Sequence, residues 1–194
     1  MKIVLASTSP FRASVLKKLC IPFEQAAPHT DETAHENESA EQLVERLAIA
    51  KAKALSCDDA WIIGSDQVAT VDGKILGKPH THEKAVEQLS LCSGKTVRFL
   101  TGLCLHNAKA DVTESLVEPF DVNFKVLNEN QIERYLRAEQ PYNCAGSFKS
   151  EGLGICLFES LQGRDPNTLI GLPLIALIDL FRLHNIELLE HISL

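Results

Sequence analysis

The 194-residue chain predicts an α/β protein, with a mixed, twisted sheet that is parallel near the N-terminus, antiparallel further on, and flanked by helices. Three observations carry that expectation. The short β-branched run 2–6 passes straight into a hydroxyl-rich turn and an apolar-periodic helix, the order of a βα unit. The run 60–71 is the strongest strand signal in the chain, and Asp72-Gly73 after it marks a hairpin. Two more strand-like runs, 96–106 and 113–126, flank a turn-like segment at 107–111 and read as one long antiparallel hairpin. The length suits one large domain or two small lobes sharing a core. With no repeat, long linker or low-complexity stretch, 1–194 is expected to form a single domain.

The elements follow in order. Ser9 is placed to cap the first helix, and Pro10 suits its first position, where the missing N–H would go unsatisfied anyway. A helix start at the end of a buried strand, with Ser7, Thr8, Ser9 and Arg12 around it, is suited to phosphate. A capped helix with nothing bound would use the same residues. The run 21–26 reads as a short extended piece and the acidic stretch 28–38 as an exposed loop. Ser39 and Gln42 have the spacing of a capping box. The helix they start carries Leu43, Val44, Leu47, Ala48, Ala50, Ala54 and Leu55 as its apolar face, with Arg46, Lys51 and Lys53 expected in solvent.

An aspartate inside the 60–71 strand is out of place, because strands disfavour Asp and burial makes its charge costly. Either the strand breaks at Gly64-Ser65 or Asp66 is held there for chemistry. Residues 74–77 return from the hairpin, and Gly77-Lys78-Pro79 leads into a helix over 81–92 that Ser93-Gly94 ends. His80 and His82, beside a proline at a helix start, read as surface residues rather than metal ligands. Asn128 and Gln131 cap a further helix through Ile132, Tyr135 and Leu136. A loop-rich segment fills 141–166, and Gly171-Leu172-Pro173 opens a final apolar helix over 174–183.

Composition narrows the function classes. Apolar residues make up 45% of the chain, ample for a core. Twenty-six acids against 19 Lys and Arg give a net charge of -7, which opposes binding to nucleic acid polymers but not to a small anion met by local cations. No run is long and apolar enough to span a bilayer, and the chain enters a strand with no signal region, so a cytoplasmic protein is expected. The six cysteines form no C-x-x-C pair and mostly lie in apolar segments, which reads as reduced, buried thiols rather than disulfides or zinc ligands. Gly-x-Gly-x-x-Gly and Walker A motifs are absent, which sets aside Rossmann and P-loop readings.

Ser7, Ser9 and Arg12, the acids Glu32 and Asp66, and the lysines Lys51 and Lys78 form a coherent set. Carboxylates can hold a divalent cation and position water, while cations neutralise phosphate oxygens, as metal-assisted phosphoanhydride hydrolysis requires. Leu5-Ala6-Ser7-Thr8-Ser9-Pro10-Phe11-Arg12 resembles the N-terminal signature of the Maf-type nucleoside triphosphate pyrophosphatases. Further matches follow in register: Asp31-Glu32, Arg46-Leu47-Ala48 with Lys51-Ala52, Gly64-Ser65-Asp66-Gln67-Val68, Gly77-Lys78-Pro79, Ser93-Gly94, Thr101-Gly102 and Gly171-Leu172-Pro173-Leu174. They span essentially the whole chain.

The resemblance implies a two-lobed α/β fold around a central cleft, akin to inosine-triphosphate pyrophosphatase, often dimeric. It also implies cleavage of a nucleoside triphosphate to the monophosphate and pyrophosphate with Mg²⁺ or Mn²⁺. By position, Asp66 corresponds to the proton acceptor and a metal ligand, with Glu32 as the second ligand. Ser7, Ser9, Arg12, Lys51 and Lys78 correspond to the phosphate-binding residues. An ordinary Asp, with a pKa of about 3.9, is a poor base toward free water, so the role requires metal-polarised water or a raised pKa.

Three features depart from the dTTP- and UTP-handling branch and resemble the branch acting on 7-methyl-GTP. They are Phe11 where the former carries Arg, the pair Asp66-Gln67, and the stretches 144–152 and 163–168. At position 11 the 7-methyl-GTP branch carries tryptophan, a stronger stacker than phenylalanine. Methylation at N7 makes guanine cationic, which favours an aromatic face such as Phe11 and a carboxylate such as Glu151. Glu151 is placed to accept from the guanine N1–H and N2–H edge, and Gln67 to adjust the shape of the base site. Other nucleotides of the same family's chemistry, and a non-enzymatic nucleotide-binding role in septum formation, are the competing expectations.

Overall fold

The computed structural model describes residues 1–55, 57 and 59–192. Seven strands form one mixed sheet: β1 (Lys2–Ala6), β2 (Glu24–Ala26), β3 (Ala60–Val71), β4 (Lys74–Leu76), β5 (Thr96–Asn107), β6 (Val112–Phe124) and β7 (Phe158–Gln162). Their order is β2-β1-β3-β5-β6-β7, with β4 paired to β3 off that path. β1 runs parallel to both β2 and β3, whereas β3–β4 and β6–β7 are antiparallel. β5 and β6 are neighbours joined only by 108–111, a connection short enough to require antiparallel strands. The helices are α1 (Pro10–Leu16), α2 (Ala40–Lys53), α3 (His82–Cys92), α4 (Glu129–Glu139) and α5 (Leu174–Leu183). Mixed sheet and flanking helices match the expected class.

Local chemistry explains the boundaries. Ser9 caps α1 by accepting from the Arg12 amide, with Pro10 in the first turn. Ser39/Gln42 and Asn128/Gln131 form complete capping boxes on α2 and α4. Asp72 and Gly73 take φ of 50° and 75°, the left-handed pair that a tight β3–β4 hairpin needs.

The contacts divide into two compact units. The first comprises 1–67, 101–118 and 165–194; the second comprises 68–100 and 119–164. In the first, residues alternate between the faces of the sheet. Ile3, Leu5, Ile63, Leu103 and Leu105 pack with α1 and α5, while Val4, Ala6, Ile62 and Cys104 pack with Ala48 and Ala52 of α2. In the second, Phe99, Phe124, Phe148 and Phe158 pack edge to face, with ring centroids 5.0–5.4 Å apart.

Several expectations need correction. The segment 141–166 is not only loop: it holds β7 and the 3₁₀ turns Ala145–Ser147 and Leu153–Leu157. Just two of the six free cysteines, Cys92 and Cys104, are buried, while Cys20 and Cys156 are exposed. Burial pushes the Cys92 and Cys104 thiols up to about 12, so both are inert hydrophobes. His82 is half-buried, between Tyr142 Oη and Glu133 Oε1 at 3.0 Å each. No helix among the described residues is long and apolar enough to cross a membrane.

Candidate active site

β3 does not break at Gly64-Ser65; it runs unbroken through Asp66, which is buried. The period of two assigns its residues to opposite faces. Gly64 and Asp66 face α2, and a Cβ on Gly64 would lie 2.1 Å from the Ala48 carbonyl oxygen, so glycine alone lets helix and strand meet here. That close approach brings Lys51 of α2 against Asp66. Lys51 is buried rather than solvated, because it continues the stripe of Val44, Leu47 and Ala48 at helical spacing.

The Lys51 ammonium bridges two carboxylates. Nζ lies 2.7 Å from Asp66 Oδ1 and 2.6 Å from Glu32 Oε1. Glu32 reaches it from the exposed loop 28–38, which is not loosely held. Arg46 of α2 grips Glu38 with two nitrogens and donates to the carbonyl of Thr33, the residue after Glu32, at 3.1 Å. The Arg46 guanidinium holds the Glu38 carboxyl down at about 2. Removing one partner of a buried ion pair costs about 3–5 kcal/mol, so neither Lys51 nor Asp66 is a neutral place to mutate.

Ser65 and Gln67 face the other way, toward the segment after Asp165. Ser65 donates to the Gly171 carbonyl at 2.9 Å, and Gln67 Nε2 donates to the Thr168 carbonyl and to Thr101 Oγ1 at 2.6 and 2.8 Å. Arg12 Nε donates to the same Gly171 carbonyl at 3.0 Å. Gly171 has φ of 101°, and a Cβ there would lie 3.3 Å from Arg12 Nε, so glycine suits both the turn and the approach.

Burial lowers the Arg12 pKa, while Asp66 and Glu32 raise it; the guanidinium stays charged. Ser7 follows β1 at its carboxyl end and accepts from the Ser9 amide at 3.1 Å and Arg12 Nη1 at 3.5 Å. Ser9 Oγ is occupied as the α1 cap. Phe11, on the same turn, is 42% exposed.

Sequence reasoning missed Asp165. It is fully buried, and its carboxylate accepts from the amides of Asn167 and Ile175, both at 2.8 Å, and from Asn167 Nδ2 at 2.7 Å. It thereby shapes the turn that carries the Thr168 and Gly171 carbonyls. The signal was available: Asp before Pro166 is a capping pattern. Two other candidates lie in the second unit. Lys78 and Glu151 are both exposed on loops, Glu151 accepting from Ser150 Oγ at 3.2 Å.

In the first unit, then, an α/β protein sets cations and carboxylates side by side at the carboxyl end of parallel strands. Comparisons with known proteins narrow that class. Residues 2–184 match the family model described as Maf-like protein, and the chain belongs to the Maf family. Two relatives, each named 7-methyl-GTP pyrophosphatase, are 59% identical to it. The Colwellia psychrerythraea protein aligns over 98% of this chain and 96% of its own length, the Pseudoalteromonas atlantica protein over 100% of both. The solved Staphylococcus aureus Ham1 protein shares the fold, with a TM-score of 0.52 at 15% identity over 96% of this chain and 100% of that one.

Proposed function

We propose that this chain is a nucleotide pyrophosphatase that hydrolyses 7-methyl-GTP to 7-methyl-GMP and pyrophosphate. The observation that carries the reading is the Lys51 bridge, where two carboxylates from a loop and a strand converge on one cation beside Arg12 and Ser7. The names of the relatives support the same substrate.

The donor set fits a divalent cation. Mg²⁺ takes one or two carboxylates and fills its remaining positions with water and substrate phosphate. Glu32 and Asp66, both within 2.7 Å of Lys51 Nζ, are such a pair. When bound, the cation supplies Lewis acidity that lowers the pKa of water and neutralises phosphate charge.

The remaining work falls to the chain itself. The Asp66 carboxylate takes the proton of the attacking water. Lys51, held against Asp66 in the free protein, supplies positive charge to the phosphate oxygens. Arg12, fixed through Gly171, and the hydroxyls of Ser7 and Ser9 orient the triphosphate, and Lys78 adds a further cation. For the base, Phe11 is the proposed stacking face, Glu151 the acceptor for the N1–H and N2–H edge, and Gln67, tied to Thr101 and Thr168, a further determinant of selectivity. We further propose that the chain acts as one cytoplasmic domain over 1–194; the family match runs across both units.

A panel of 7-methyl-GTP, GTP, dTTP and UTP assayed for pyrophosphate release with Mg²⁺ and Mn²⁺ tests the reading. Fastest turnover is expected with 7-methyl-GTP, and only with metal. Equal rates on 7-methyl-GTP and UTP would overturn the base assignment. Tight binding without turnover would instead favour a nucleotide-binding regulator.

A further inference from the structure

In the second unit one side chain touches two separate loops. Gln88 lies on α3 beside its buried face of Ala85, Leu89 and Cys92. Its Nε2 donates to the carbonyl of Gly77 at 3.0 Å, the residue before Lys78. Its Oε1 accepts from the hydroxyl of Ser147 at 2.5 Å, on the stretch that leads to Glu151. Both ends of the amide are matched in polarity, so the side chain has one satisfied orientation.

Ser147 is an unusual place for such a bond. It is fully buried, and its φ of 63° is a left-handed conformation that residues other than glycine rarely adopt. Strain of that kind persists only where surrounding bonds over-determine it. Here the Ser147 amide donates to Cys144, its hydroxyl donates to Gln88, and two residues on the Lys149 amide donates to Tyr135 Oη at 3.0 Å. The Lys78 loop is pinned at its far end as well, by the His80 amide on the Tyr142 carbonyl at 2.9 Å. The backbone on either side of Lys78, and that leading to Glu151, is thus tied down by hydrogen bonds although both residues stand on loops.

We propose that Gln88 is a positioning residue that couples base recognition to phosphate binding, by holding the Lys78 loop and the Glu151 loop through one amide. This rests on the nucleotide-pyrophosphatase reading and extends it to selectivity. Seating the correct base against Glu151 stiffens Ser147, and Gln88 passes that restraint to the carbonyl preceding Lys78. A base that Glu151 does not grip leaves the lysine loop less constrained.

Gln88→Met keeps the length and volume of the side chain but removes both hydrogen bonds, and Ser147→Ala removes only one. In folded Gln88→Met, kcat/KM for 7-methyl-GTP is expected to fall about tenfold, in the range that loss of orientation produces. The preference for 7-methyl-GTP over UTP is expected to fall with it, and Gln88→Met added to Glu151→Ala should cost no further preference. Equal loss on both nucleotides would overturn the coupling, since a residue that merely stiffens the fold leaves the ratio unmoved. A second readout needs no turnover: Ser147→Ala is expected to shift the amide resonances of Gly77 and Lys78. Unmoved resonances would overturn the relay even in an active enzyme. A wild type that cleaves no nucleotide would refute the functional reading while leaving the resonance test to decide the relay.

Discussion

Lys51 and Lys78 are both proposed phosphate-binding cations, yet the two units hold them in opposite ways. The first unit buries Lys51 on a helix, against a strand, with a carboxylate on either side. The second unit leaves Lys78 exposed on a loop whose backbone is braced from behind by Gln88 and Tyr142. Asp66 and Glu151 repeat the contrast, one buried in mid-strand and the other exposed on a loop. Regular elements fix atoms tightly, which suits groups that move protons. Loops tolerate sequence change, which suits groups that choose among substrates. The proposed proton acceptor thus resides where the fold is least negotiable, and the proposed acceptor for the base edge where it is most.

The largest expected effect is at the buried end of that contrast. Asp66→Asn preserves volume and leaves Lys51 paired with Glu32, so the protein should fold while turnover falls by about 10²–10⁴-fold, the range for loss of a general base. Steady-state rates beside a thermal melt check it, and near-wild-type turnover would place the base elsewhere. Glu151→Ala comes next. It removes charged hydrogen bonds worth roughly 10- to 100-fold, so kcat/KM for 7-methyl-GTP should fall by that much while UTP hydrolysis and Tm hold steady. Phe11→Ala is smaller still: an exposed cation–π contact contributes about 0.5–1 kcal/mol, a loss of roughly two- to fivefold in KM for the methylated base.

The last prediction concerns the brace on the Glu32 loop and requires no substrate. The Glu38 carboxyl is held at about 2 against an ordinary 4.5, chiefly by the hydrogen bond from Arg46. A depressed value means that the pair steadies the loop fully above the ordinary carboxylate range and releases it as pH falls through about 2. Carboxyl resonances followed through an acid titration should show this midpoint, and Arg46→Ala should return it toward 4.5. An unchanged midpoint in the variant would show that another group depresses it.

Much of this was legible in the sequence, because it is encoded locally. Ser9-Pro10, Ser39 with Gln42, Asn128 with Gln131 and Asp72-Gly73 each carry their cap or turn chemistry in a few residues. Asp66 was conspicuous as an acid inside an apolar run. The burial of Lys51 was harder to see, since basic residues on a helix are solvated by default. The spacing from Val44 and Ala48 pointed inward, but only a glycine in a distant strand lets α2 come close enough. The cap at Asp165 could be read from Pro166 after it, but its reach to Ile175, like the role of Gln88, could not. Both depend on groups distant in sequence, the Ile175 amide for Asp165 and the Gly77 carbonyl and Ser147 hydroxyl for Gln88, and no pattern of side-chain types records which groups a fold will bring within reach. In the 141–166 stretch, glycines and short 3₁₀ turns masked β7.

Three of the four boundaries between the two units fall inside strands: after Gln67 in β3, after Leu100 in β5 and after Glu118 in β6. Neither unit can therefore be excised or exchanged as a cassette, because three of the four cuts would run through a hydrogen-bonded strand and leave raw, aggregation-prone edges. For the engineer the same constraint is an instruction: vary the proposed base-site positions one side chain at a time, and keep the three long strands whole.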